Sequence, residues 1–101
     1  MSERGVAEAG PSDVVRRIVV VCNRRGLHAR AAARFVKLAS TFEATITVVK
    51  DETEVSGRSI MGLMMLAAAP GTPIELRARG PQALTAVTAL AQLVAGRFDE
   101  D

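Results

Sequence analysis

The chain has no tryptophan, no tyrosine, one histidine and one cysteine. Each scarcity excludes something. With Cys22 alone, neither an intramolecular disulfide nor a cysteine-cluster metal site can form. With a single histidine, a zinc site would have to draw on carboxylates, so no metal is expected. Three phenylalanines are the only aromatic residues, which leaves the core to aliphatic side chains and removes the stacking platforms that nucleic-acid readers use. No apolar run approaches the ~20 residues of a membrane-spanning helix, and Met1 to Asp13 is polar and acidic, unlike a secretory signal. No membrane insertion and a cytosolic location are therefore expected.

Charge of one sign is lacking too. Thirteen basic and eleven acidic residues leave a formal net charge of +2. The arginines are dispersed as Arg16-Arg17, Arg24-Arg25, Arg30, Arg34 and Arg77/Arg79 rather than gathered in one block, which argues against a nucleic-acid partner. What remains is an ordinary globular composition, 49% hydrophobic and 24% charged over 101 residues. That length suits one domain with one core.

The pattern along the chain sets the elements. Residues 1–14 lack periodicity and read as a flexible leader, 15–98 as the folded domain, and 99–101 as an acidic tail. Arg16 to Cys22 is rich in β-branched residues and reads as a buried strand, followed by a turn at Asn23 to Gly26. Ala31, Phe35, Leu38 and Phe42 recur at helical steps. Glu43 to Lys50 alternates, with Ala44, Ile46 and Val48 on one face, and the short Asp51-Glu52 connection to Thr53–Ser56 implies an antiparallel hairpin. Ile60, Leu63, Met64 and Ala67 follow helical spacing. Ile74 to Arg79 alternates apolar with charged, the pattern of a sheet with one solvated face. Gly80-Pro81 is expected to open a last helix with proline at its first position, with Leu84, Val87, Ala91 and Val94 as its apolar stripe. The order β-α-β-β-α-β-α predicts an α/β (α+β) open-faced β-sandwich, a four-stranded antiparallel sheet with three helices on one face.

The lone histidine falls where this order places a helix N-terminus, in Gly26-Leu27-His28-Ala29-Arg30. Such a terminus offers unpaired N–H groups and partial positive charge, a ready phosphate site. A nucleophilic imidazole must be neutral to attack phosphorus, and both the helix end and Arg30 oppose its protonation. The same groups stabilise a dianionic product through charge-assisted hydrogen bonds. A plainer reading makes His28 only a capping or surface side chain. Arg30 in a first helical turn opposes the helix dipole, a placement better explained by a phosphate it attends, whereas Arg25 reads mainly as a solvated charge. Ser59 precedes an apolar helical run as a preferred N-cap.

Gly26-Leu27-His28-Ala29-Arg30 together with Ser56-Gly57-Arg58-Ser59-Ile60-Met61-Gly62-Leu63 resembles the two motifs of the histidine-containing phosphocarrier family HPr of the bacterial phosphotransferase system, and the similarity runs from about Arg16 to Phe98. The resemblance implies that His28 is phosphorylated on Nδ1 with Arg30 assisting, and that Ser59 is a regulatory phosphorylation site to which Arg58 lends kinase recognition. It implies a docking face around Arg25, Ala29, Ile60, Met61 and Met64. Its partners would be enzyme I, EIIA-type proteins and an HPr kinase/phosphorylase; the chain would need no cofactor and act as a stoichiometric carrier rather than an independent enzyme. The family commonly has proline where this chain has Ala31, which puts the rigidity of the phosphate site in question. The ending Gly96 to Asp101 is similar to that of nitrogen-branch carriers, sometimes called NPr, while the Ser59 motif resembles sugar-branch members; the reading leans to the nitrogen branch. A regulatory binding module acting through phospho-Ser59 without relay is the rival. Cys22 is read as a small core residue.

Overall fold

The computed structural model describes residues 13–100, so most of the expected leader and Asp101 lie outside the described residues. The strands are β1 (Val15–Val20) and β2 (Thr45–Lys50), both rich in β-branched residues, β3 (Thr53–Ser56) and the alternating β4 (Pro73–Arg79). Between and after them come α1 (Ala29–Ala39), α2 (Ile60–Met65), α3 (Ala83–Ala95) and a short 3-10 turn, Arg97–Asp99. All strand pairings are antiparallel and the order across the sheet is β1-β4-β2-β3. The expected α+β sandwich and its four-stranded antiparallel sheet are therefore present.

Strand alternation decides which face the helices cover. Ile46 pairs with Ala78 and Val48 with Leu76, and all four are buried together with Ile74. Their neighbours Arg16, Ile18, Val20, Thr47, Glu75 and Arg77 point to the uncovered face, because successive side chains in a strand alternate. Phe35, Ala31, Ala32 and Ala39 bury one side of α1, and Val87, Leu90, Ala91 and Val94 one side of α3. α3 packs on β1 and β4, while α1 packs against α2 and α3.

Five expectations need correction. Among the described residues β1 is an edge strand rather than a buried one: there it pairs with β4 alone, and Ile18 and Val20 are 68% and 50% exposed. A continuous apolar run does not by itself reveal how many of its faces are covered. Cys22 is exposed, with its thiol over the C-terminal end of α3 near the Val94 and Ala95 carbonyls. Pro81 does not open α3; Gln82 is its N-cap and the helix begins at Ala83. There Gln82 is held by both its backbone N–H and its side-chain Oε1 to the backbone of Glu43. Leu84, counted in the apolar stripe, is 66% exposed, since the buried face of α3 runs through Ala83, Ala86, Val87, Leu90 and Val94 and Leu84 falls beside it. In α2, only Leu63 of the expected inward set is buried; Ile60, Met64 and Ala67 are exposed, because a six-residue helix has room for little more than one inward contact.

Candidate functional site

The segment between β1 and α1 is shaped by one glycine and one buried amide. Gly26 has φ +66°, and a Cβ there would lie 2.3 Å from the Ala68 carbonyl oxygen, so only glycine lets this turn press against the segment after α2. The Leu27 N–H then donates to the same Ala68 oxygen at 3.0 Å. Asn23 is fully buried and its Nδ2 donates to the Gly26 carbonyl at 2.8 Å. These contacts fix where α1 begins.

His28 is the N-cap of α1, with extended backbone angles, and its carbonyl accepts the first intrahelical bond from the Ala32 N–H at 2.8 Å. Its Nδ1 accepts from the Arg30 N–H at 3.3 Å. On the far side of the ring, Nε2 lies 2.9 Å from Glu100 Oε1. An ionised carboxylate can only accept. Nε2 therefore carries the ring proton in the neutral state, and Nδ1 keeps its lone pair, which accepts from the Arg30 N–H in the first turn of α1. Both side chains are 16% exposed.

Glu100 was expected in a separate acidic tail; the structure instead folds it onto the histidine. Three consecutive residues, Arg97, Phe98 and Asp99, have φ of 60°, 55° and 61°, a left-handed turn that costs roughly 1–2 kcal/mol per residue that is not glycine. Phe98 is fully buried, and Arg34 Nη1 donates to its carbonyl at 2.9 Å. Beyond this anchor, Glu100 Oε1 also accepts from Asn23 Nδ2 at 3.1 Å. The hydrogen bond from His28 holds the Glu100 carboxyl below its ordinary range; partial burial opposes this, and the Asn23 hydrogen bond with the charges of His28 and Arg30 adds to it. Sequence reasoning missed both Asn23 and Glu100. The acidic ending was visible, but nothing local indicated that the chain would turn back.

The other anticipated residues divide into those near His28 and those apart from it. Arg25 and Arg30 are exposed and, with Arg24 and Glu100, line a hollow of about 240 Å³. Ala29 is exposed and Ala31 is fully buried in the first turn of α1. Ser59 caps α2, its Oγ accepting from the Gly62 N–H at 2.9 Å. Arg58 does not stand free beside it: its guanidinium donates to the Phe42 and Ala44 carbonyls. Ile60, Met61, Met64 and Met65 are exposed at 42%, 68%, 39% and 73%, an apolar cluster on a helix that packs against α1.

An open-faced antiparallel sandwich carrying a histidine at the N-terminus of its first helix, with arginines lining a hollow next to the glutamate that holds its ring, defines a small phosphocarrier protein. Residues 15–96 match the family model for the PTS HPr component phosphorylation site, and the chain belongs to the HPr family of phosphotransferase-system phosphocarriers. It is 45% identical over 87 residues to the phosphocarrier protein HPr of Neisseria meningitidis, covering 86% of this chain and 98% of that one. The phosphocarrier protein NPr of Shewanella violacea is 44% identical over 86 residues, covering 85% and 94%. Among solved structures, HPr-C-His from Thermoanaerobacter tengcongensis superposes with a TM-score of 0.82 at 39% identity, covering 86% of this chain and 98% of that chain. The phosphocarrier protein HPr of Bacillus anthracis gives 0.77 at 42%, covering 80% and 96%.

Proposed function

We propose that this phosphocarrier accepts its phosphoryl group from phospho-enzyme I on His28 Nδ1 and passes it to a histidine of an EIIA-type protein. The observation that carries this reading is the ring's two-sided hydrogen bonding, which leaves Nδ1 as the nitrogen with a lone pair at a helix N-terminus. In the forward step the Nδ1 lone pair is released from the Arg30 N–H and forms the N–P bond while the bond from phosphorus to the donor breaks, its electron pair going to the donor. The phosphoryl oxygens then meet the N–H groups of the first turn and the Arg30 guanidinium. In the second step a lone pair of the acceptor's imidazole forms a new N–P bond while the bond to His28 breaks and its electron pair returns to Nδ1. The chain needs no cofactor for either transfer, works in the cytoplasm, and is consumed and regenerated once per cycle.

The exposed apolar cluster of α2, with Ala29 and Arg25 beside the ring, is the docking face for both partners; apolar, adaptable methionines suit a surface that meets more than one protein. Ser59, at the edge of that face, is the regulatory phosphorylation site for an HPr kinase/phosphorylase-type enzyme. A phosphoryl group there adds about −2 charge at a helix N-terminus, which weakens docking without unfolding α2. The acceptor is of the nitrogen branch.

Incubation with enzyme I and labelled phosphoenolpyruvate tests the relay. Label should appear on the wild type, vanish in acid, and be absent from His28→Ala; undiminished label on that variant excludes His28. Arg30→Ala should transfer roughly tenfold to a thousandfold more slowly, about 1.4–4 kcal/mol of barrier, and an unchanged rate makes Arg30 a solvated charge. Phospho-Ser59 protein that binds and transfers like the unmodified form leaves Ser59 with its capping role alone.

A further inference from the structure

The C-terminal segment is held against the histidine by more than chance contact. A left-handed turn across Arg97, Phe98 and Asp99 persists only where its surroundings over-determine it. Here they do: Phe98 is buried in the core, Arg34 holds its carbonyl, and fully buried Asn23 binds the end of the Glu100 side chain. The result of all three is one contact, Glu100 Oε1 at 2.9 Å from His28 Nε2.

We infer that Glu100 is a positioning residue for phosphoryl transfer, fixing the Nε2–H form of His28 so that no proton has to move in either direction of the relay. This rests on His28 Nδ1 being the acceptor. In the resting ring, Nε2 bears the proton and Nδ1 the lone pair. Phosphorylation makes the N–P bond at Nδ1 and leaves Nε2–H in place, so the ring gains a positive charge that faces the Glu100 carboxylate. Donation breaks the N–P bond, returns the pair to Nδ1 and restores the starting ring. Without the carboxylate, molecules in the Nδ1–H form must first relocate a proton, and the charged phosphorylated ring loses its counter-charge. A carboxylate ordering a histidine's tautomer through the nitrogen opposite the reacting one is an arrangement of known chemical value.

The test compares the full chain with Glu100→Ala and Glu100→Gln. Long-range proton–nitrogen spectra should show the neutral His28 ring of the wild type almost wholly as Nε2–H. Glu100→Ala should show added Nδ1–H, while Glu100→Gln, whose amide oxygen can still accept, should restore the wild-type tautomer. With enzyme I as donor, Glu100→Ala should lower kcat roughly tenfold, the effect of one charge-assisted hydrogen bond, with KM unchanged, and Glu100→Gln should fall between. Identical tautomer populations in wild type and Glu100→Ala overturn the proposal, as does an unchanged kcat. A tautomer shift in a protein whose His28→Ala variant still takes up label would refute the relay reading and leave the Glu100 contact standing, so the two failures are distinguishable.

Discussion

Replacing Phe98 by alanine tests whether the C-terminal turn is part of the folded domain and whether the site depends on it. Phe98 is fully buried, and its side chain contributes about 1.5–3 kcal/mol through removal from water alone. Truncation of a core phenylalanine typically costs about 3–5 kcal/mol. The loss here should fall somewhat lower, at about 2–4 kcal/mol, because a segment at the chain end can detach and release left-handed strain of about 1–2 kcal/mol per residue. For a domain this small that corresponds to a fall in Tm of about 10–25 °C. Urea titration should show the lower midpoint with little change in slope. Since the same anchor delivers Glu100 to the ring, the His28 nitrogen signature of Phe98→Ala should match that of Glu100→Ala. A loss under about 1 kcal/mol, well below the range for core truncations, would show that Phe98 is not seated in the core. A large loss with the wild-type ring signature would break the argued link between anchor and site.

Gly26→Ala should destabilise by roughly 2–4 kcal/mol, through left-handed strain and collision with the Ala68 carbonyl, and should slow phosphoryl transfer by displacing the start of α1; a Tm within a few degrees of wild type would contradict the 2.3 Å approach. Ala67 follows the C-cap of α2 with φ +53° and is exposed, so Ala67→Gly should stabilise by about 0.5–1 kcal/mol, read as a higher urea midpoint, and a lower midpoint would refute the strain argument. The Glu100 carboxyl is lowered from its ordinary value of 4.5 by the His28 hydrogen bond, so its contribution to stability is fully present above that value and disappears as pH falls through the folded-state value. The Tm gap between wild type and Glu100→Gln should accordingly be present at pH 7 and close in acid; a gap that widens on acidification would reverse the sign. Ser59→Ala should lose about 1 kcal/mol with the N-cap while transfer through His28 continues, and an unaltered thermal midpoint would show that the Gly62 contact contributes nothing.

Local chemistry in the sequence determined a good deal about this protein. Alternation in Ile74 to Arg79 marked a strand with one solvated face, the Asp51-Glu52 connection marked a hairpin, and Ser59 before an apolar run marked a helix cap; each is a property of neighbouring residues. The His28 and Ser59 motifs were legible for the same reason, since each is a short continuous stretch. Tertiary structure decided what depends on partners distant in the chain. An apolar run such as Val15–Val20 does not state how many of its faces are covered, and only its place at the sheet edge left Ile18 and Val20 exposed. Leu84 is exposed because the packing of α3 on the sheet centres its buried face on Ala83, Val87, Leu90 and Val94. The contact between His28 and Glu100 joins residues 72 apart in sequence. It exists because Phe98 finds a place in a core built by α1, α3 and the sheet, and only that assembled core can hold a left-handed turn that the local backbone disfavours.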